Sequence, residues 1–286
     1  MNSKVLILGK GYIGCSLFNQ MKNASLMIVS RDYLDYHSPQ ILTKYLLDGG
    51  YDVVINAAGF TGRPNVDEAE SKKALCWDLN VAVPLTINRV CNNLGIKYIH
   101  ISSGCIYGGY TKDYTEIDNP NFGLFDDESS WYSKTKHAFE LMSKQMDIKI
   151  LRIRMPITPD MNPRNYLVKI KNYDNLITNV NSKTYIPDLS QFVDVLLSKE
   201  SPFFWKGQDV YNVVNPKPMG VRELTGIMEV FKQNNPNWKF VEIKDLNIIA
   251  ERSNCVLDTT KASHILKLRP ERDIVITALT VINNER

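Results

Sequence analysis

Near its start the sequence reads Lys4-Val5-Leu6-Ile7-Leu8, followed directly by Gly9-Lys10-Gly11-Tyr12-Ile13-Gly14. The apolar run predicts a buried strand, and the second part is a G-x-G-x-x-G turn that leads into a helical pattern. The three glycines allow a tight turn, a close approach to a pyrophosphate and close packing of helix on sheet. Free N–H groups at the start of a helix favour phosphate. We therefore predict a dinucleotide site that includes Gly9, Gly11, Tyr12, Ile13 and Gly14.

Short β-rich runs alternate with segments of helical length through the first half of the chain. The further strand runs are Leu26–Ser30, Asp52–Asn56, Lys97–Ser102 and Lys149–Arg154. The helical patterns between them include Ile41–Leu47, Val81–Asn92 and Tyr132–Gln145. The strands are nearly continuous apolar runs, which is typical of strands buried on both faces. This alternation predicts an α/β fold with a doubly wound parallel Rossmann sheet.

The character of the sequence changes after Arg154. Met155–Asn165 holds three prolines and is predicted to be a loop. Leu189–Lys199 and Val210–Val214 have the patterns of a helix and a strand that return to the sheet, and Val221–Phe231 is an amphipathic helix beyond it. We predict a Rossmann domain from residues 1–153 and about 184–214, and a smaller C-terminal substrate-binding cap from about 154–183 and 215–286.

Composition argues against several other classes of protein. The 286 residues include 34 Lys and Arg against 31 Asp and Glu, and a net charge of +3 is not typical of nucleic-acid binding. No apolar run reaches the ~18 residues of a membrane span, and the opening run is too short for a signal peptide. We expect a cytoplasmic protein, in the host cytoplasm if it is viral. Five scattered cysteines without C-x-x-C spacing predict free thiols and no metal site.

The end of the second predicted strand discriminates between the two nicotinamide cofactors. An acidic residue at this place would bind the ribose 2′-hydroxyl of NAD. Here the strand ends at Ser30 and Arg31, and a guanidinium makes forked, charge-assisted bonds to phosphate. We therefore predict NADPH with contacts from Ser30 and Arg31, while Asp32 keeps NAD open as an alternative.

A second motif, Tyr132-Ser133-Lys134-Thr135-Lys136, is Y-x-x-x-K. Residues four apart share one face of a helix, so Tyr132 and Lys136 lie together. An ammonium beside a phenol is expected to lower the phenol pKa and to suit it for proton transfer. Ser103 follows the fourth strand, at the edge where ligands bind in such sheets, and is placed to polarise a substrate carbonyl.

These motifs together resemble the extended short-chain dehydrogenase/reductases along the whole chain. The resemblance rests on the glycine-rich turn, Asn56-Ala57-Ala58-Gly59 after the third strand, Ser103, Tyr132 and Lys136. It implies that Ser103, Tyr132 and Lys136 perform hydride transfer. It also implies that Asn56, Ala57 and Ala58, with Tyr132 and Lys136, line the cofactor site. Dimers are common in this superfamily through a helix pair, so a homodimer is a further expectation.

Several longer stretches are similar to a narrower family, the plant nucleotide-rhamnose synthases that combine epimerase and reductase activity. The stretches are Asn56–Asp67, Ser103–Ile106, Arg152–Ile157, Asn162–Asn165, Glu251–Asn254 and Leu257–Lys261, the last two similar also to bacterial dTDP-4-dehydrorhamnose reductases. No dehydratase module precedes the match, so we expect the single-module form found in plants and giant viruses. The resemblance implies a bifunctional UDP-4-keto-6-deoxy-glucose 3,5-epimerase/4-reductase that makes UDP-L-rhamnose with NADPH.

Epimerisation needs one group to remove a proton beside the C4 ketone and another to return it on the opposite face. Cys105 lies two residues after Ser103, and a thiol can be tuned toward neutral pKa by a nearby cation. The family resemblance implies that Cys105 is the epimerase cysteine and that Lys169 is its acid partner. We assign Cys105 as base and Lys169 as acid, and a reversal of these roles at the second carbon stays open. Lys171 is a close rival, and a buried inert thiol or a solvated lysine would be the ordinary structural role of each.

Five residues are predicted to hold the nucleotide sugar. Arg63 and Asn65 follow the third strand, and Asn165 lies beside the Lys169 segment. Arg252 and Asn254 lie where the family binds the diphosphate–nucleoside end, although Arg252 could instead pair with Glu251 or Asp258.

Three alternatives to the bifunctional enzyme stay open. A simple NADPH-dependent nucleotide 4-keto-sugar reductase would need neither Cys105 nor Lys169. A non-catalytic NADP-binding regulatory scaffold would be free to lose Tyr132 or Lys136, and this chain keeps both. A UDP-sugar 4-epimerase would use tightly held NAD, which Arg31 and Cys105 argue against.

Overall fold

A parallel sheet dominates the fold of the computed structural model, which describes residues 3–63, 65–199 and 202–284. The strands are β1 (Ser3–Leu8), β2 (Ala24–Val29), β3 (Val53–Asn56), β4 (Lys97–Ser103), β5 (Ile148–Ile153), β6 (Pro156–Ile157), β7 (Asn175–Ile177), β8 (Thr184–Tyr185), β9 (Gln208–Asn212) and β10 (Lys239–Val241). Six of them form one sheet in the order β2-β1-β3-β4-β5-β9, with every neighbouring pair parallel. The pairs β6–β8 and β7–β10 form two small parallel sheets.

Helices connect the strands and cover the sheet. They are α1 (Tyr12–Gln20), α2 (Pro39–Gly49), α3 (Glu68–Ser71), α4 (Lys73–Trp77), α5 (Val83–Leu94), α6 (Trp131–Met142), α7 (Tyr166–Asn172), α8 (Ile186–Leu197), α9 (Val221–Val230), α10 (Thr260–Ser263) and α11 (Glu271–Asn284). A π-helical turn, Asp78–Ala82, joins α4 to α5, and Pro202–Trp205 and Ile243–Asp245 are 3₁₀ turns. No helix within the described ranges is long and apolar enough to span a membrane.

Both faces of the sheet are buried at its centre, which explains why β1 and β3 are mostly apolar. Val5 and Ile7 of β1 pack on one face, in a core that includes side chains of α1 and α8. Leu6 and Leu8 pack on the other face, in a core that includes side chains of α2, α5 and α6. Because successive strand residues point to opposite faces, no position in β1 between Val5 and Leu8 can be polar without burying that group.

The order of the strands reverses between β1 and β3, and ligands bind at such a switch point, outside the carboxyl ends of the strands. The turn Gly9–Gly14 follows β1, Asn56 ends β3 and Ser103 ends β4. The topology therefore brings these three predicted site segments to one edge of the sheet.

A separate hydrophobic core, apart from the two on the faces of the sheet, lies in the segments predicted for the cap. Buried side chains of α7, α9 and α11 meet there, among them Leu167, Leu224 and Ile274. Close to this core Lys183 Nζ forms a buried ion pair with Glu271 Oε2 at 2.9 Å. The pair joins the segment before β8 to the first turn of α11.

The predicted α/β fold with a doubly wound parallel sheet is confirmed, and each predicted strand of the sheet ends within two residues of the observed one. One expectation needs correction, and one helix was missed. Met155–Asn165 is not wholly loop, because Pro156 and Ile157 pair with β8, a contact between distant segments that local pattern does not reveal. The helix α11 was not predicted from the sequence.

Candidate active site

The glycine-rich turn has the geometry that a dinucleotide phosphate requires. Gly9 has φ +103°, and a Cβ there would lie 2.6 Å from Ala58 N. A Cβ on Gly14 would lie 2.0 Å from Gly9 O, so α1 can approach the turn only because this residue is glycine. Gly11, by contrast, has open space where its Cβ would be. It is the N-cap of α1, and because it has no side chain it offers no acceptor to the first N–H groups of the helix. The turn therefore fits a pyrophosphate, with free donors and room in front of them.

Tyr12 ties this turn to the segment that follows β5. Its hydroxyl lies 2.9 Å from Thr158 Oγ1, and burial raises the Tyr12 pKa. Thr158 Oγ1 in turn donates to Asp160 Oδ1 at 2.7 Å. The Tyr12 hydroxyl thus already has a partner within the protein.

The predicted residues for the 2′-phosphate lie in the open at the end of β2. Arg31 is exposed, Ser30 is half-buried, and Arg31 forms no ion pair with a described carboxylate. Asp32 is also exposed. Since no carboxylate in the described part of the chain pairs with the Arg31 guanidinium, it is available to an anionic ligand.

Asn56 has a structural part in the cofactor edge. Its side chain is fully buried, its Nδ2 donates to Tyr98 Oη at 3.1 Å, and its Oδ1 accepts from Ala58 N at 3.0 Å. These bonds fix Ala57 and Ala58 at the end of β3, where Ala58 N lies against Gly9. Asn56 thus shapes the edge through the backbone of its neighbours.

Ser103, Tyr132 and Lys136 meet at the carboxyl end of β4. Ser103 is the last residue of that strand, and it lies close enough to Tyr132, near the start of α6, to lower the Tyr132 pKa. Lys136 Nζ lies 5.7 Å from the centre of the Tyr132 ring, and the Lys136 side chain is 4% exposed. Ser130 is the N-cap of this helix, and its hydroxyl accepts from Ser133 N at 3.2 Å. The three predicted catalytic groups are therefore brought together.

The pKa of Tyr132 differs from the sequence-based expectation. Burial, followed by the nearby Cys105, raises the Tyr132 pKa, against smaller lowering effects of the Ser103 hydrogen bond and the Arg154 charge. The expectation that Lys136 leaves Tyr132 with a lowered pKa is wrong in this structure, because desolvation outweighs every nearby cation. Burial also lowers the pKa of Lys136 itself. The phenol is therefore suited to giving a proton rather than to losing one in advance.

Cys105 belongs to the same cluster. Its side chain is half-buried and its N–H donates to Ser103 Oγ at 3.3 Å. Burial raises the thiol pKa, whereas hydrogen bonds with Ser103 and Ser133 and the charges of Arg154 and Lys136 lower it. The thiol thus lies next to the serine that is predicted to hold the substrate carbonyl.

Lys169 lies on α7 and fulfils one condition for acid chemistry. Burial, and after it the charge of Arg164, lowers the Lys169 pKa. Within the described residues, however, no hydrogen bond or ion pair joins Lys169 to Ser103, Cys105 or Tyr132. The rival Lys171 donates to Gln233 Oε1 at 2.9 Å.

The residues predicted to contact the substrate differ in whether their side chains already have partners within the protein. Arg63 is exposed, Asn65 Oδ1 accepts from Asp67 N, and Asn254 Oδ1 accepts from Asn181 Nδ2. Arg252 is in an ion pair with neither Glu251 nor Asp258 but with Asp67, its two terminal nitrogens lying 2.7 and 3.0 Å from the two carboxylate oxygens. Its guanidinium must leave Asp67 before it can bind a diphosphate with its full fork.

Asn165 is the predicted contact that the structure supports least. It is fully buried as the N-cap of α7, where its Oδ1 accepts from Leu167 N. Its Nδ2 donates to the carbonyls of Thr158 and Asp160 at 2.7 and 2.8 Å. The amide therefore has no free donor for a sugar hydroxyl, because the loop before α7 uses both.

Sequence reasoning missed two side chains of the site. Asn80, in the π-helical turn, bonds both the N–H and the carbonyl of Phe60 and donates to Thr135 Oγ1 beside Lys136. No sequence pattern marks it, since its partners lie in distant segments. Arg154 lies in the stretch Arg152–Ile157, and a charged residue directly after a buried strand was a usable signal.

The fold and this site define a Rossmann-type α/β protein with a serine, a tyrosine and a lysine at the carboxyl edge of its sheet. A family model described as "RmlD substrate binding domain" matches residues 3–274, so the chain belongs to that family. The described residues hold no cluster of His, Cys, Asp or Glu fit for a metal, and the five cysteines are free.

Named relatives include reductases and rhamnose synthases. The chain is 34% identical over 219 residues to the "bifunctional dTDP-4-dehydrorhamnose 3,5-epimerase/dTDP-4-dehydrorhamnose reductase" of Arabidopsis thaliana, covering 73% of this chain and 69% of that protein. It spans about a third of three longer, trifunctional Arabidopsis relatives.

Two solved structures share the fold. The L780 UDP-rhamnose synthase of Acanthamoeba polyphaga mimivirus has a TM-score of 0.83 at 23% identity and covers 99% of this chain and 100% of that chain. A dTDP-4-dehydrorhamnose reductase of Bacillus anthracis, solved in complex with NADP, has a TM-score of 0.81 at 18% identity and covers 100% of both chains.

Proposed function

We propose that this chain is an NADPH-dependent reductase of a nucleotide-linked 4-keto-6-deoxy sugar, and that it also epimerises C3 and C5 of that sugar. The observation that carries the proposal is one cluster: Ser103, Tyr132, Lys136 and the thiol of Cys105 meet beside the glycine-rich turn. UDP-4-keto-6-deoxy-glucose is the proposed substrate and UDP-L-rhamnose the proposed product.

The proposed reduction uses groups that are already in place. Bound NADPH would supply the hydride to C4. Ser103 donates a hydrogen bond to the ketone oxygen, and Tyr132 gives that oxygen its proton as negative charge develops there. Lys136 stays close to the phenol and stabilises the phenolate that remains.

The proposed epimerisation uses Cys105 and Lys169. Protons on C3 and C5 are acidified by the C4 ketone between them, and their removal leaves an enolate whose charge Ser103 can stabilise. Cys105 takes the proton from one face, and Lys169 returns one to the other face. The lowered pKa of Lys169 suits this role, because an ammonium gives up its proton more readily when it is buried.

Incubation with UDP-4-keto-6-deoxy-glucose and NADPH in deuterated water tests both halves. NADPH absorbance follows reduction, and NMR of the product reports deuterium at C3 and C5. The expected product is UDP-L-rhamnose that carries deuterium at both carbons. Cys105→Ser should lose exchange yet still reduce a substrate that has been epimerised beforehand, and the unaltered protein without NADPH should exchange without reducing.

A simple reductase is the second candidate, and one observation favours it. Lys169 makes no hydrogen bond or ion pair with the cluster within the described residues, so the acid partner is not assembled in this state. Reduction without deuterium, giving a D-configured 6-deoxy sugar, would establish the simple reductase. Because the Arabidopsis relative is named for dTDP-sugars, the assay should compare UDP- and dTDP-linked substrates.

A further inference from the structure

Arg154 is a buried cation that has no carboxylate partner among the residues that the structure describes. The residue directly follows β5, and it is only 6% exposed. Nη1 donates to Gly104 O and Ser253 Oγ at 3.0 and 2.8 Å, and Nη2 donates to Asn181 Oδ1 and Ser253 O at 2.7 and 3.0 Å. Every acceptor is neutral, and the buried Nε has no partner. A buried charge with no counter-ion is costly, so this arrangement calls for a functional reason.

Three other buried cations of the described chain each have a carboxylate partner. Arg152, two residues earlier, pairs with Glu140 at 2.7 Å, and Lys183 pairs with Glu271. Lys149 pairs with Asp209 at 3.3 Å. Lys136 resembles Arg154 in having no ion-pair partner among the described residues, and it belongs to the catalytic cluster.

Both of these unpaired cations act on Cys105. The charges of Arg154 and Lys136 lower the thiol pKa against the larger raising effect of burial. Among the described residues, Tyr132, which lies on α6 with Lys136, also interacts electrostatically with this thiol. Arg154 is thus the only one of the three that does not lie on the catalytic helix.

Arg154 is also fixed in direct contact with the Cys105 segment. It bonds the carbonyl of Gly104, the residue between Ser103 and Cys105. A Cβ on Gly104 would lie 3.2 Å from Arg154 Cγ and Cδ, so the arginine stem packs where a side chain at 104 would be. The next residue, Met155, has φ +37°, a left-handed conformation that is strained outside glycine.

We propose that Arg154 is a positioning residue for epimerisation, whose unpaired charge serves as counter-ion to the Cys105 thiolate. The proton on C3 or C5 moves to Cys105 Sγ: the C–H bond breaks, the S–H bond forms, and the electron pair passes into the enolate. Negative charge thus leaves the sulfur and moves to the ketone oxygen, and Arg154 stabilises the charge before the transfer. The inference rests on the epimerase half of the proposed function.

The test measures the Cys105 thiol without any substrate. Iodoacetamide alkylation is followed against pH, with mass spectrometry of the Cys105 peptide, in a Cys15→Ser background that removes the other half-buried thiol. Arg154→Met should move the alkylation midpoint up by about one to three pH units, the usual effect of one opposite charge. Deuterium exchange at C3 and C5 should fall about tenfold or more at neutral pH and recover as pH rises, while NADPH affinity stays unchanged.

Two further variants separate charge from packing. Ser253→Ala removes a hydrogen bond to the guanidinium but keeps its charge, so its midpoint should stay within about half a unit of the parent. Arg154→Lys also keeps the charge, so its alkylation midpoint and its deuterium exchange should stay close to those of the parent. If Arg154→Met does not fold, Arg154→Lys alone tests the inference. The inference is overturned if the alkylation midpoint of Arg154→Met equals that of the parent. It is also overturned if Arg154→Lys raises the midpoint by the roughly one to three pH units expected for loss of the charge.

Failure of this inference can be told apart from failure of the proposed function. If the unaltered protein exchanges no deuterium, the epimerase proposal fails whatever Arg154 does. If the unaltered protein exchanges and Arg154→Met keeps both the midpoint and the exchange profile, the epimerase proposal survives and the role of Arg154 is wrong.

Discussion

The space in front of Gly11 gives the sharpest prediction about the cofactor. A Cβ on Gly11 would meet nothing within 4 Å, and its φ of −102° is acceptable to any residue. Gly11→Ala should therefore fold with a free energy of unfolding at or slightly above that of the parent, since alanine adds about 0.4–1 kcal/mol where the backbone permits it. The open space is where we place the pyrophosphate, so the same methyl group should weaken NADPH binding.

The size of the effect follows from what the methyl group displaces. Loss of one charge-assisted hydrogen bond to phosphate costs about 1.5–3 kcal/mol. That range corresponds to a rise in the NADPH Kd of about 10- to 150-fold. Calorimetric titration with NADPH measures the Kd, and thermal unfolding of the apoprotein measures stability on the same sample.

Gly14→Ala is the matched variant. Its Cβ would lie 2.0 Å from Gly9 O, a backbone atom that cannot swing away. Overpacking of this kind costs about 1–3 kcal/mol, which for a protein of this size lowers Tm by roughly 2–12 °C. If Gly11→Ala binds NADPH as tightly as the parent, or if it loses as much stability as Gly14→Ala, the reasoning about this turn is refuted.

Three further predictions test the proton donor, the cofactor preference and the cap. Tyr132→Phe should abolish NADPH consumption and keep deuterium exchange, because only the ketone oxygen needs the phenolic proton; loss of both in a folded protein would contradict this. Arg31→Ala should raise the KM for NADPH about tenfold or more and leave that for NADH unchanged, as expected for a lost charge-assisted phosphate bond. Glu271→Gln should lower the free energy of unfolding in urea by about 3–5 kcal/mol, because it strands the buried Lys183. Glu223→Gln, in an exposed ion pair, is its control and should cost less than about 1 kcal/mol.

Local signals in the sequence accounted for the sheet and for the groups that reduction would use. Apolar runs such as Lys4–Leu8 predict buried strands because both faces of each strand are covered. The glycines at positions 9 and 14 could be interpreted from the sequence alone, because the close approaches that the structure shows there leave no room for a Cβ. Tyr132 and Lys136 are one helical turn apart, so their juxtaposition needs only α6.

Pairings between distant segments could not be read in this way. Arg252 was expected to be free for a diphosphate, or paired nearby, and it pairs with Asp67, which is 185 residues away in the chain. Asn165 was expected to contact substrate, and the loop that precedes α7 uses its amide. In each case the residue type predicted the kind of bond that the side chain makes. The partner of that bond depends on which distant segments the tertiary structure brings together.

The sequence by itself determined the parallel α/β architecture, the phosphate-binding turn and the Ser103–Tyr132–Lys136 set, because each depends on residues close together in the chain or on the periodicity of one element. Only the tertiary structure decided the electrostatics of the site. Burial raises the pKa of Tyr132 and lowers that of Lys169. Arg154 is buried beside the Cys105 segment with no counter-ion in the described part of the chain. Desolvation and unpaired charge are properties of the packed whole, since they depend on which segments surround a group and exclude water from it.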